Sequence, residues 1–236
     1  MPIGVIVNTL SIAVGGLLGA LFGKRLSEAL KEKLNLVFSV SAMGMGVSAI
    51  VLMKGMPAVI LALILGTLAG HLLRLQDRIR SGGVLLQKGI SKLLPAASAP
   101  GESEGLMITA LVLFCASGTG IYGSIVSGMS GDHSILIAKS VLDLFTAMIF
   151  ACTLGASVSL IAVPQVIIFL SLFFLARVIG PLTTDTMAAD FKACGGFILI
   201  ATGLRIAKIR DYPIGDMIPA MLLVWPLSAM WTAVTG

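Results

Sequence analysis

The sequence has few charged residues, and this shortage excludes the ordinary soluble class. Only 11% of its 236 residues are charged and 57% are hydrophobic, with a mean hydropathy of +1.05. Soluble domains carry about a quarter charged and about half apolar residues. A chain this poor in charge is solvated by lipid, and we expect an integral membrane protein in contact with the bilayer.

The residues that build catalytic and metal sites are also scarce. The chain has three cysteines and two histidines. It shows no CxxC pair, Ser/His/Asp motif, phosphate loop or dinucleotide fingerprint. We therefore expect no catalytic residues, no metal and no cofactor, and we interpret the cysteines as small packing residues. They are Cys115, Cys152 and Cys194.

Apolar residues come instead in blocks close to the twenty that cross about 30 Å of hydrocarbon. The pattern predicts an all-α polytopic protein of about eight spans, or seven if the middle holds a re-entrant or broken helix. The first block lacks a basic flank before it and a small-residue cleavage site, so it is interpreted as a retained helix. The predicted spans are 3–23, 36–53, 56–73, 105–128, 135–162, 164–182, 191–208 and 213–234.

The predicted spans divide one membrane domain into four parts. A first three-span unit covers 1–73, and a last one covers 163–236. Between them lie a cytoplasmic amphipathic helix with its linker, 74–104, and a central segment, 105–162. The two trios would run in opposite directions, which predicts an inverted repeat, a common plan among transporters.

Lysine and arginine positions indicate the orientation, because positively charged short loops stay on the cytoplasmic side. With the N-terminus outside, all but four of the 16 basic residues fall in inner loops; the four are Lys54, Lys139, Arg177 and Lys192. We expect both termini to face away from the cytoplasm. This asymmetry and anionic headgroups explain the net charge of +5, so no nucleic-acid partner is expected.

Glycine is abundant, with 27 residues, and several groups follow helical spacing. Small residues four apart let membrane helices approach closely. These groups predict tight packing, either within one chain or in a homodimer. They are Gly15, Gly16, Gly19 and Gly23, then Gly44 and Gly46, then Gly66 and Gly70.

The stretch LVLFCASGTGIYGSIVSGMSG, 111–131, loses its apolar character before it could clear the membrane. Ser117, Gly118, Thr119 and Gly120 follow an apolar half-span. One interpretation is a broken helix whose backbone groups build a binding site, because lipid offers them no partners. The other is a kinked, continuous helix with hydroxyls bonded to its own backbone.

The next stretch, GDHSILIAKSVLD, places a basic and an acidic residue one helical turn apart. Asp132 or Ser134 can cap the helix, and Lys139 and Asp143 then share a face with Ser140 between them. Unpaired charge at membrane depth costs at least about 2.5–3.5 kcal/mol, so the pair needs partners or water. It is either an interfacial ion pair with a snorkelling lysine or the lining of a polar pathway.

The central stretch LFCASGTGIYGSIVSGMSGDHSILIAKSVLDLFTAMIFACTLG resembles the signature of the YqgA/YdfK-like family of uncharacterised bacterial inner-membrane proteins, closest to its YqgA branch. The segments PIGVIVNTLSIAVGGLLGALFGKRL, GGFILIATGLRI and MIPAMLL also match, so the resemblance covers nearly the whole chain. The resemblance implies a bacterial inner-membrane protein, so the termini are expected in the periplasm, and it names no substrate. One departure is His71, where members of the family usually carry glutamate.

These observations favour a transporter or channel for an ion or small polar solute, with the central segment as its pathway. One alternative is a non-transporting structural or regulatory protein. A membrane enzyme would require His71, Asp143 or Asp190 to meet around a metal or a lipid headgroup. The predicted site residues are Ser117, Gly118, Thr119, Gly120, Ser124, Asp132, Ser134, Lys139, Ser140 and Asp143, with Asn8, His71 and Asp190 as secondary candidates.

Overall fold

The structure is a computed structural model that describes residues 1–22, 27–93, 102–115 and 117–235. The described residues form helices and contain no strand, which confirms the predicted all-α membrane class. The α-helices are α1 (Ile3–Phe22), α2 (Glu28–Ile50), α3 (Met56–Leu72), α4 (Leu75–Leu93), α5 (Glu102–Cys115), α6 (Gly118–Ser130), α7 (Ser134–Leu154), α8 (Ala162–Ile179), α9 (Asp185–Ile206), α10 (Ile214–Met217) and α11 (Ala220–Thr235). Two 3₁₀ helices, Gly155–Ile161 and Gly180–Leu182, lie on either side of α8.

Six helical stretches of the described chain are long and apolar enough to cross a membrane. A seventh results if α3 and the start of α4, which meet at a 61° bend, form one span. One of the six, Ser134–Ile179, has 46 residues and would measure about 69 Å if straight, over twice the hydrocarbon thickness. The predicted count of eight spans stays a prediction.

The helices pack into two compact units that alternate along the chain. The first unit contains Met1–Leu34 and Ile79–Arg177. The second contains Asn35–Arg78 and Val178–Gly236. The predicted division into two three-span units and their inverted repeat stays a prediction.

In the first unit, α1 lies against α7 with both helices running in the same direction. Gly4 of α1 faces Leu136 near the start of α7, whereas Gly19 faces Met148 two-thirds of the way along it. A side chain at Gly15 would collide with the carbonyl oxygen of Leu144. The glycine face of α1 therefore allows the backbones of α1 and α7 to come into contact.

The α8 helix returns alongside α1 in the opposite direction, so α7 and α8 form a helical hairpin. Ser159 Oγ, before α8, donates to the Ala13 carbonyl at 2.9 Å. Val5, near the start of α1, packs with Phe169, further along α8. Gly155, with φ +67°, ends α7 where the hairpin turns, and this conformation favours glycine.

The second unit also relies on glycine contacts. In α2 and α9, Gly46 faces Gly196, and Met43 faces Gly203, so the two helices are antiparallel. In α3 and α11, a side chain at Gly66 would collide with the backbone of Ala220. The start of α3 lies beside the end of α11, so this pair is antiparallel as well.

The predicted amphipathic segment, 74–104, includes α4. Arg74, with φ +50°, stands at the bend between α3 and α4. Most of the predicted linker, residues 94–101, lies outside the described residues. So do Gly23 of the first glycine group and the basic residues Lys24 and Arg25, which were predicted to lie in an inner loop. The cytoplasmic location of 74–104 stays a prediction.

The directions of the helices generate a topology prediction. The parallel packing of α1 and α7 requires an odd number of crossings between them. The end of α11 lies beside Gly55, which follows α2 and precedes α3. Cysteine labelling in intact bacterial cells should therefore place residues 1 and 235 on one side and α4 on the other. Termini on opposite sides would contradict this arrangement.

The glycine contacts predict a large difference between two similar substitutions. Gly15→Ala should lower stability by about 1–3 kcal/mol, because the methyl group meets a backbone carbonyl that has no alternative rotamer. Gly44→Ala is the matched control, since nothing lies within 4 Å of its added methyl group, and it should be neutral or slightly stabilising. Thermal unfolding of the purified variants in detergent measures both effects, and equal melting temperatures would refute the close approach of α1 and α7.

Candidate functional site

A buried ion pair lies in the first unit, within α7. Lys139 Nζ contacts both carboxylate oxygens of Asp143, at 2.7 Å to Oδ1 and 2.6 Å to Oδ2. Lys139 is 4% exposed and Asp143 is 6% exposed. The i, i+4 spacing predicted the shared face, and the structure brings the two charges into direct contact.

Two amide side chains extend this pair across three helices. Asn8 Nδ2, on α1, donates to Asp143 Oδ2 at 2.8 Å. Gln165 Nε2, on α8, donates to Asn8 Oδ1 at 2.6 Å, and Thr9 Oγ1 donates to Gln165 Oε1 at 2.8 Å. We call Lys139, Asp143, Asn8, Gln165 and Thr9 the polar network. Because each amide orders the next, the network holds the carboxylate in one place.

The polar network lies deep along its helices. Asp143 is nine residues after Ser134, or about 14 Å along α7, which is close to half the hydrocarbon thickness. Asn8 and Gln165 are fully buried. Polar groups at this depth need partners within the protein, and each member of the network has one.

The end of α5 borders the network. The ring centroid of Phe114 lies 6.0 Å from Lys139 Nζ, at the outer limit of a cation–π contact. Phe114 belongs to an apolar cluster that closes this side of the unit. The cluster contains Ile12, Met107, Ala110, Leu111, Phe114, Cys115, Ala147, Ala151, Val158, Ile161 and Ala162.

The predicted helix break is present, because α5 ends at Cys115 and α6 begins at Gly118. Ser117 Oγ caps α6 by accepting from the Gly120 N–H at 3.1 Å. Ser124 Oγ donates to the Gly120 carbonyl at 2.7 Å, and Thr119 is buried. Both alternatives thus hold in part: the helix is broken, and the hydroxyls bind their own backbone. Ala116 lies outside the described residues.

Packing places the break beside the network. A side chain at Gly120 would collide with the ring of Phe169, one helical turn after Gln165 on α8. Phe114, on the other side of the break, faces Lys139. The structure thus brings the predicted glycine segment and the predicted charge pair to one region of the first unit.

The turn before α7 is a separate feature. Asp132 and Ser134 are exposed, and Asp132 Oδ1 accepts from the Ser134 N–H at 3.0 Å. Both residues lie nine or more positions before Asp143. Ser140 Oγ donates to the Leu136 carbonyl of its own helix. None of these three predicted site residues joins the polar network through a described hydrogen bond.

Sequence reasoning missed Gln165 and Thr9 and gave Asn8 only a secondary place. Gln165 is a fully buried amide in the apolar stretch AVPQVIIFL, and that contrast was a usable signal. Asn8 lies on the same helical face as Gly4 and Gly15, the face that contacts α7. An amide on a packing face predicts a partner on the opposing helix.

The second unit holds another buried carboxylate. Asp190 on α9 is fully buried, and its Oδ1 accepts from the backbone N–H groups of Lys54 (2.8 Å) and Gly55 (2.7 Å). Its Oδ2 accepts from Ser228 Oγ of α11 at 2.6 Å. The carboxylate lies at the N-terminus of α3, where free N–H groups and the helix dipole favour negative charge.

A similar contact lies at the other end of α3, and sequence reasoning missed it. Asp216 Oδ1 accepts from the Gln76 N–H at the start of α4, at 2.9 Å. Gln76 Oε1 accepts in return from the Gly215 N–H at 2.8 Å. The secondary candidate His71 is largely exposed, with Nδ1 4.0 Å from Asp216 Oδ2. The structure does not bring His71 together with Asp190.

Among the residues that the structure describes, no three His, Cys, Asp or Glu side chains form a group that could hold a metal ion. The absence of catalytic residues, metals and cofactors stays an expectation from sequence. The chemistry available to the polar network is the exchange of charged or hydrogen-bonded partners around one carboxylate and one ammonium group.

The Asp190 contacts predict a strong structural effect. Asp190→Ala should lower stability by about 2–5 kcal/mol, because it leaves buried N–H donors without an acceptor, whereas Ser228→Ala should cost about 1–2 kcal/mol. Asp185→Asn, at an exposed position of the same helix, is the matched control and should be neutral. Thermal unfolding in detergent ranks the three, and equal effects for Asp190→Ala and Asp185→Asn would contradict the capping role.

Comparison with known proteins agrees with this membrane architecture. The chain is 44% identical over 235 residues to the uncharacterized protein YqgA of Escherichia coli (strain K12), covering 99% of each chain. It is 25% identical over 229 residues to the uncharacterized membrane protein YdfK of Bacillus subtilis (strain 168), covering 93% of each. No solved structure matches it.

The resemblance found in the central signature is therefore confirmed. Residues 3–229 match the model of a family described as proteins of unknown function, DUF554. This range includes the whole polar network and the buried carboxylates of Asp190 and Asp216. The chain belongs to that family.

Proposed function

We propose that this protein is a transporter or channel for an ion or small polar solute, and that the polar network of the first unit is part of its pathway. The observation that supports the proposal is the Lys139–Asp143 pair at membrane depth, extended by Asn8 and Gln165 to two further helices. Charges inside membrane domains are costly, and they mark ion, proton or solute pathways more often than packing needs.

The charged residues of the polar network suit a binding site better than a purely structural contact between helices. A packing contact between α1, α7 and α8 needs only glycine and apolar side chains, and those already surround the network. Replacing an ion pair by apolar residues of similar size is often neutral or stabilising. If stability does not require the pair, its charges serve another purpose, and a binding site would use them.

A structural or regulatory role without transport is the second candidate. It is favoured by the low exposure of Lys139 and Asp143 and by the complete pairing of the network. In that case the pair would fix the register of α7 against α1. The proposed pathway requires instead that the pair open during function.

The remaining features of the proposal come from the sequence. The protein would reside in the bacterial inner membrane with both termini in the periplasm, and it would have no enzymatic activity. Eight crossings would follow if α3 and the start of α4 form one span and if α7 and α8 cross separately. A homodimer and an inverted repeat of spans 1–3 and 6–8 belong to the same hypothesis.

The two candidates differ in how single and double variants behave. Lys139→Met or Asp143→Leu alone leaves one buried charge without its partner and should cost about 3–5 kcal/mol. Lys139→Met with Asp143→Leu removes both charges and should restore stability. For a pathway the double variant is stable yet inactive; for a structural pair it is stable and fully active.

The measurement combines thermal unfolding in detergent with flux in proteoliposomes. Sodium, potassium and proton fluxes are followed with ion-selective dyes. Lys54→Met with Asp185→Leu is the matched control, since it removes the same charges at exposed positions. If the apolar double variant does not fold, Lys139→Gln with Asp143→Asn retains the polar shape. Full flux through a stable, uncharged variant would refute the proposed pathway.

A further inference from the structure

We infer that Asp143 is a binding site for a monovalent alkali cation and that the Lys139 ammonium group occupies this site as a tethered competitor. The inference deepens the proposed function and rests on it. Its starting point is the symmetry of the contact, because Nζ lies 2.7 Å and 2.6 Å from the two carboxylate oxygens. This is the position that a cation takes when one carboxylate binds it with both oxygens.

The carboxylate is the fixed member of the pair. Asp143 has a short side chain, and Asn8 Nδ2 holds its Oδ2 independently of the lysine. Asn8 is itself held by Gln165, which accepts from Thr9. Removing the ammonium group therefore leaves the carboxylate oriented by Asn8, which Gln165 holds in turn.

The lysine is the mobile member. Its only described hydrogen bonds are those to Asp143, and its four-carbon stem is flexible. The ring centroid of Phe114 lies 6.0 Å from Nζ, so a movement of the ammonium group toward this ring would strengthen a cation–π contact as the contact with the carboxylate is lost. The ammonium group can thus leave the carboxylate without losing every favourable contact.

Charge balance selects the class of ligand. The described partners of Asp143 are one ammonium group and one neutral amide, with no second carboxylate. Once the ammonium group has moved away, a single positive charge neutralises the carboxylate, whereas a divalent ion would leave an excess charge at membrane depth. Oxygen ligands suit hard cations, so sodium and potassium fit better than a soft transition metal.

The test uses the full-length protein in detergent. Melting temperatures are measured in sodium chloride or potassium chloride, with N-methylglucamine chloride keeping the ionic strength constant. Lys139→Met should be destabilised in N-methylglucamine and should recover as the alkali cation rises, because the competitor is gone and the site is free. At 100 times the Kd the gain should reach about 5–10 °C.

Two controls define the site. Lys139→Met with Asp143→Leu should show no cation response, because the carboxylate is absent. The wild-type protein should respond only at higher cation concentration, since its own lysine competes. If Lys139→Met cannot be purified, the change in melting temperature with cation concentration is compared between the wild type and the double variant. Identical changes in these two proteins overturn the inference.

Other outcomes distinguish the cation site from the transport proposal. A Lys139→Met variant whose melting temperature ignores sodium and potassium overturns the inference, and stabilisation by lower pH alone assigns the site to a proton instead. Saturable cation binding without flux in proteoliposomes supports the cation site and refutes the transport proposal. Flux of another solute without cation binding leaves transport standing and removes this inference.

Discussion

Lipid cannot form hydrogen bonds, and this constraint determines where polar groups lie in the protein. In the first unit the polar side chains at membrane depth meet one another, as Lys139, Asp143, Asn8 and Gln165 do. In the second unit buried carboxylates meet the free N–H groups of helix ends. The two units thus satisfy the same requirement, one with side-chain pairs and the other with helix caps.

Glycine makes both solutions possible, because the polar side chains are too short to bridge ordinary helix separations. Contact between the α1 and α7 backbones at Gly15 brings Asn8 within reach of Asp143. At Gly55, a side chain would come within 2.7 Å of Asp190 Oδ2, so glycine there leaves room for the carboxylate. The buried carboxylates therefore depend on the glycine contacts that bring their partners close.

The sequence predicted what depends on local spacing and composition. The membrane class, the helical pattern, the break near Gly118 and the shared face of Lys139 and Asp143 follow from short windows of residues. The sequence could not predict that Asn8 binds Asp143, because 135 residues separate them and no local period links them. The alternation of two units along the chain depends on such distant contacts and was not foreseen.

The contacts of α3 have a consequence for how the chain is made. α3 is short, and the carboxylates at its two ends come from Asp190 and Asp216, late in the sequence. The ribosome must add all of 79–177 before either carboxylate exists, which takes about 5–20 s at bacterial rates of synthesis. During that interval the backbone N–H groups of Lys54 and Gly55 lack the carboxylate acceptor that they have in the folded protein. The second unit therefore completes its folding only when the last fifth of the chain has been synthesised.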